Sequence, residues 1–159
     1  MKGPTRGKKN IATNRRARRD YHVIETVEAG IILLGTEVKA LREGKVNLGD
    51  AYGTERGGGI FLLNCHIGAY EEAGPMNHEP LRPRKLLLHQ REIRKIVGTI
   101  AQKGFTLVPL SIYFRGDFAK VELGVCRGKP KGDRREAVRT REARREIDRE
   151  ISRRARARR

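Results

Sequence analysis

The sequence predicts a small, mainly β domain followed by a basic tail. Three observations carry this reading. Short runs rich in β-branched and aromatic residues alternate with glycine-containing turns between residues 20 and 126. Only two segments in that span show the three-and-four apolar spacing of a helix. Beyond residue 127 the chain becomes rich in Arg, Ala and Glu and poor in bulky apolar residues. Its 159 residues suit one domain of ordinary size.

In chain order, residues 1–13 read as a disordered basic arm, because Gly3, Pro4 and Gly7 punctuate a lysine-rich stretch with little apolar content. The cluster Asn14-Arg15-Arg16-Ala17-Arg18-Arg19 follows. A strand is expected over Tyr21–Glu28, a break at Ala29-Gly30, and a second strand over Ile31–Leu34. Thr36–Arg42 has the pattern of a short helix, with Thr36 as N-cap, Val38 and Leu41 facing inward and Gly44 ending it. Asp50–Glu55 and Ile60–Asn64 read as strands joined across Gly57-Gly58-Gly59. Residues 71–84 read as a loop containing Gly74, Pro75, Pro80 and Pro83.

After Leu86–Leu88, a helix is expected from His89 to Lys103, where Ile93, Ile96, Val97 and Ile100 make one apolar face. Thr106–Phe114 and Ala119–Val125 are strands flanking the turn Arg115-Gly116-Asp117. About six strands with two or three short helices and mostly short turns point to a barrel or a tight sandwich. In the tail, Asp133 and Glu136 have capping-box spacing, and Ala143, Ile147, Ile151 and Ala155 form a stripe too thin to bury much. The expected domains are a basic arm (1–13), a barrel (14–127) and a tail (128–159) that is disordered or conditionally helical. A helix packed on the barrel is the alternative.

The formal net charge is +17. Residues 1–19 supply +8 of it and residues 127–159 the other +9, while residues 20–126 hold thirteen acids and thirteen bases. Such an excess needs an anionic partner: RNA, DNA or anionic lipid. Lipid fits poorly, since a membrane-surface helix needs bulky apolar residues opposite its basic face and the tail offers only Ile147 and Ile151. The apolar runs are too short to span a bilayer and the N-terminus lacks a secretory apolar region. Two cysteines in a chain of this length need form no staple, which fits a reduced cytoplasm.

Catalytic motifs are missing from the sequence. It contains no P-loop, no Gly-x-Gly-x-x-Gly and no His or Cys pair at metal-ligand spacing, so neither an enzyme nor a bound metal or cofactor is expected. A neutral barrel must bind RNA through placed residues. OB-type barrels use aromatic platforms beside basic grooves. Tyr21, directly after the arginine cluster, is either such a platform or a half-buried strand residue. Arg15, Arg16 and Arg18 are candidate phosphate contacts, and Asn14 a candidate contact to a base or the backbone.

The blocks Asn14-Arg15-Arg16-Ala17-Arg18, Tyr21, Glu28-Ala29-Gly30 and Gly35-Thr36-Glu37-Val38-Lys39 run in a distinctive order. Arg84-Lys85-Leu86-Leu87-Leu88, Leu110-Ser111-Ile112-Tyr113-Phe114, Lys120-Val121-Glu122-Leu123-Gly124, Gly128-Lys129 and Asp133-Arg134-Arg135 continue it. The whole resembles the small protein B family, the SsrA-RNA-binding proteins of bacterial trans-translation. The resemblance covers roughly residues 10–136 in register.

It implies an OB-fold-like antiparallel barrel that binds the tRNA-like domain of transfer-messenger RNA. It also implies delivery of that RNA, alanine-charged and with elongation factor Tu, to stalled ribosomes. By resemblance, Tyr21, Glu28, Leu87 and Lys120 contact the RNA. Without it, Leu87 would read as core and Lys120 as an ordinary surface lysine. The tail, with Gly128, Lys129, Lys131, Asp133, Arg134 and Arg135, would engage the decoding region of the small subunit. The sequence departs from the family pattern at two positions. Pro130 stands where a second Lys is usual, and Gly132 where a His or aromatic residue is. A structural ribosomal or general RNA-binding protein with basic extensions is the alternative reading.

Overall fold

The computed structural model describes residues 7–128 and 131–157, with side chains over 7–128 and 141–157. Among these residues, nine strands and four α-helices follow one another as β1 (Lys8–Thr13), α1 (Arg15–Asp20), β2 (Tyr21–Ile31), α2 (Gly35–Arg42), β3 (Val46–Asn47), β4 (Tyr52–Arg56), β5 (Gly59–Leu63), β6 (His66–Ile67), β7 (Arg84–Leu87), α3 (Gln90–Ile100), β8 (Phe105–Arg115), β9 (Phe118–Gly128) and α4 (Lys131–Ala157). A 3₁₀ segment, Glu71–Met76, lies in the segment read as a loop.

Six strands close on themselves in the order β8-β4-β5-β7-β2-β9, because β9 pairs with both β2 and β8. Every pairing is antiparallel. Closure removes the free edges that an open sheet would expose. The barrel expectation therefore holds.

Two hairpins rest on tight turns. Gly57 and Gly58, at φ +57 and +80, join β4 to β5. Gly116, at φ +65, opens the β8–β9 turn. Two-residue hairpins need positive φ at these points, and glycine adopts it without strain. Inside the barrel, Ala29, Ile60, Leu62, Leu86, Leu107, Ile112, Val121 and Leu123 are buried. α3 packs on this core through Ile93, Ile96, Val97 and Ile100, the face read from the sequence. Its first turn is closed by the Glu92 carboxylate, which accepts from the His89 amide at 3.0 Å.

Three expectations need correction, and one segment that carried none, the arginine cluster, forms an element of its own. Residues 8–13 are not disordered: β1 pairs with the distal half of β8, from Lys8 opposite Arg115 to Thr13 opposite Ser111. The arginine cluster is a helix, α1, capped by Asn14 and seated by buried Ala17. Tyr21–Ile31 is one unbroken strand, because Ala29 is a core residue and Gly30 keeps its pairing with both Leu87 and Lys120. Thr36 does not cap α2: Leu34 does, its amide donating to Glu37 Oε1 at 2.8 Å, while Thr36 Oγ1 bonds His78 Nδ1 at 2.9 Å.

The contact pattern divides the chain after Gly128. Gly128 itself ends β9 opposite Tyr21, so it belongs to the barrel rather than the tail. α4 is a separate unit and a continuous helix, Lys131–Ala157, whose residues 141–157 are all exposed. Among the described residues, no helix is long and apolar enough to cross a membrane.

Candidate nucleic-acid interface

The outer face of β2, β9 and β8 carries two groups of candidate residues. Strand alternation sets which side chains share a face. On β9, Val121 and Leu123 point inward, so Phe118, Lys120, Glu122, Gly124 and Cys126 point out. The register places Tyr113 opposite Lys120, Ser111 opposite Glu122 and Arg115 opposite Phe118 on β8, and Glu28 opposite Glu122 and Gly30 opposite Lys120 on β2.

The first group surrounds α1. Asn14 is buried, and its side chain is fully engaged. Its Nδ2 donates to the carbonyls of Leu48 (3.1 Å) and Pro109 (2.9 Å), and its Oδ1 accepts from the Ala17 amide at 3.1 Å. It therefore fixes where α1 begins and is turned away from solvent. Arg15, Arg16, Arg18 and Arg19 are exposed. Arg16 pairs with Asp20 at 3.4 Å and Asp50 at 3.3 Å. Because the Arg16 side chain is largely exposed, such pairs add little stability and yield readily to a phosphate.

Ala17 packs with Val108, Leu110 and Cys126 in a small cluster outside the barrel, and half-buried Tyr21 leans on it. Tyr21 is thus a half-buried strand residue whose remaining surface lines a cleft of about 270 Å³ with Arg16, Asp50 and Tyr52. Tyr52 is 40% exposed. No basic cluster adjoins it in the chain, so its sequence neighbours mark it only as a residue of the strand over Asp50–Glu55.

The second group lies seven residues further along β2, roughly 23 Å at strand spacing. Here the register lines up Leu87, Gly30, Lys120 and Tyr113 across β7, β2, β9 and β8. Leu87 is 54% exposed and lies over Gly30, where an added Cβ would sit 3.2 Å from Leu87 Cβ. Beside this row Glu28 accepts from the Tyr113 hydroxyl and from Arg115 Nη2 (2.9 Å). Lys8 stands 4.1 Å above the Tyr113 ring and 4.0 Å from Glu122.

The Tyr113 hydrogen bond, opposed by partial burial and helped by Arg115 and Lys120, holds the Glu28 carboxyl below its ordinary range. Burial together with the Glu28 partner pushes the Tyr113 phenol up to about 12. Two carboxylates sit among three cations, so this end of the face does not repel phosphate. Phe118, 71% exposed, closes the row at the hairpin tip.

Glu28, Leu87 and Lys120 are therefore neighbours, and they share one face with Tyr21 and the α1 arginines. In the tail, Lys129 lies outside the described residues, as do the side chains of Lys131, Asp133, Arg134, Arg135 and Glu136. Among the described residues, no cluster of three His, Cys, Asp or Glu side chains is arranged to hold a metal.

A closed barrel with an arginine helix, a tyrosine-lined cleft and a mixed-charge patch on one outer face defines a protein of the nucleic-acid-binding class. The model of one family, described as SmpB protein, matches residues 11–153. The chain belongs to that family. It is 55% identical over 150 residues to the SsrA-binding protein of Anaeromyxobacter sp. (strain Fw109-5), covering 94% of this chain and 91% of that one. It is 53% identical over 141 residues to the SsrA-binding protein of Geobacillus thermodenitrificans, covering 89% and 91%. A solved structure described as "tmRNA-SmpB: a journey to the center of the bacterial ribosome" aligns with a TM-score of 0.66 at 49% identity, over 80% of this chain and 94% of the other.

Proposed function

We propose that this protein binds the tRNA-like domain of transfer-messenger RNA and delivers it to stalled ribosomes for trans-translation. The observation that carries this reading is the gathering of Tyr21, Glu28, Leu87, Lys120 and the α1 arginines on one face of a barrel that belongs to the SmpB family. Arg15, Arg16 and Arg18 meet phosphates, Tyr21 offers a ring edge or face at the cleft, and Leu87 packs against a ribose or base. Asn14 acts from beneath, by fixing α1. Elongation factor Tu reaches the complex through the charged RNA, and the setting is the cytoplasm.

In this reading α4 engages the decoding region. A basic helix suits walls of ribosomal RNA, where phosphate contacts offset the cost of ordering it. With Gly132 in place of an aromatic residue, this engagement draws on the flanking basic side chains and not on stacking.

The test is the affinity of the purified protein for transfer-messenger RNA and for an ordinary tRNA, at one physiological salt concentration. Phosphate contacts make affinity fall steeply with salt, so the comparison must hold it fixed. We expect a preference of more than about tenfold, or 1.4 kcal/mol. Equal affinities would reduce the protein to a general RNA binder.

A further inference from the structure

Glu28 is an acid on a face meant for a polyanion, and its two oxygens have different surroundings. Both protein donors, the Tyr113 hydroxyl and Arg115 Nη2, go to Oε2. Among the described residues, no donor is bonded to Oε1. The Glu28 side chain is 39% exposed and that of Arg115 is 42% exposed, so the pair sits at the surface. Tyr113 is nearly buried although it lies on the outer face. Lys8 covers its ring from one side at 4.1 Å, and Arg115 stands at 5.9 Å. A packed tyrosine has a fixed hydroxyl, and a fixed hydroxyl fixes the carboxylate it donates to. Lys120, across from Tyr113, and Arg115 offset the charge of Glu28, so an approaching phosphate backbone is not driven off.

We propose that Tyr113 and Arg115 are positioning residues for RNA recognition. They pin one oxygen of Glu28 so that the other faces outward as a preset acceptor for a hydrogen-bond donor on the RNA. The inference rests on the RNA-binding reading above. Preorganisation of this kind gains affinity because the carboxylate need not be ordered, nor freed from competing rotamers, at the moment of binding. It also gives specificity, since an acceptor rewards a donor and penalises a phosphate oxygen placed at the same point.

The experiment is a double-mutant cycle on the full chain, read as dissociation constants for transfer-messenger RNA. Its variants are Tyr113→Phe, Arg115→Gln, Glu28→Ala and each of the first two combined with the third. Thermal melting of every variant accompanies the binding. Tyr113→Phe keeps the ring and its packing, so its melting should stay close to the parent's. It should nevertheless weaken RNA binding, roughly tenfold, through the released carboxylate.

In the Glu28→Ala background the same change should cost almost nothing further, because there is no longer a carboxylate to hold. Arg115→Gln should behave alike, apart from a residual loss for its own charge that persists in both backgrounds. Undiminished binding by Tyr113→Phe would overturn the proposal. So would losses that simply multiply in the double variant, since these would mark Tyr113 as acting independently of Glu28. If the parent showed no preference for transfer-messenger RNA over tRNA, the choice of RNA would fail instead. The cycle would still report whether Tyr113 acts through Glu28.

Discussion

Removing residues 129–159 is expected to abolish tagging of incomplete proteins on stalled ribosomes, yet to leave binding to transfer-messenger RNA within about tenfold of the full chain. Among the described residues, both apolar clusters are built from residues no later than Cys126, and every strand pairing ends by Gly128. What the deletion removes is a basic helix. Its only large apolar side chains over the described stretch, Ile147 and Ile151, are 58% and 61% exposed.

Contacts along that helix, such as Arg154 to Glu150 at 3.4 Å, are worth a few tenths of a kcal/mol each. They bias the segment toward helix and give it no core. On the proposed reading, its free energy of docking comes from a polyanion that its charge matches. A tagging assay on a message without a stop codon, run beside a binding titration, separates the two roles. Wild-type tagging by the truncated protein would remove the tail from the mechanism. Loss of RNA binding would show that the barrel face does not suffice.

The parts legible in the sequence were those in which pattern and packing coincide. α3 declared its face because Ile93, Ile96, Val97 and Ile100 all turn to the same core. The β8–β9 hairpin was readable from two β-rich runs around Gly116. β1 was not, since an added strand is held by backbone bonds to β8 and needs only Ile11 and Ala12 half-buried. α1 was missed although Asn14 is a good cap, because five polar or charged neighbours hide the single buried Ala17 that seats the helix.

The candidate face was legible only in pieces. Period-two alternation puts Lys120 and Glu122 on one side. That Leu87, Glu28 and Lys120 meet depends on the order β7-β2-β9, which no local signal encodes. Tyr113 shows the same limit: its sequence neighbours say strand, while its hydroxyl bonds a partner 85 residues away.

The same kind of long-range pairing sets the second large effect. Glu37→Ala is expected to destabilise the barrel by about 3–5 kcal/mol, which lowers the melting temperature by roughly 10–20 °C for a domain of this size. Glu37 and Arg84 are both fully buried and bonded to each other. Glu37 also accepts from Arg82 Nη2 at 2.5 Å and from the Leu34 amide at 2.8 Å. Arg84 directs its remaining donors to the carbonyls of Cys65 at 2.5 Å, Pro80 at 3.1 Å and Glu79 at 3.4 Å. The pair therefore ties α2 to β7 and to the loop before it.

Deleting the acid strands a buried guanidinium, which costs far more than the net worth of the pair. Replacing both partners with apolar residues, as in Glu37→Leu with Arg84→Met, should recover part of the loss. Failure to recover any would mean that the carbonyls of Cys65 and Pro80 dominate.

The pH dependence has a definite sign. Burial pushes the Glu37 carboxyl up, but the Leu34 amide and the two arginines outweigh it and hold it below the ordinary value of 4.5. The unfolded chain thus takes up this proton first as pH falls. The stabilisation is complete above about 4.5 and is lost as pH drops through the lower folded value. Melting curves between neutral and acidic pH should show a steeper decline for the parent than for Glu37→Leu/Arg84→Met. Parallel declines would place the acid sensitivity on other carboxylates, Glu28 first among them.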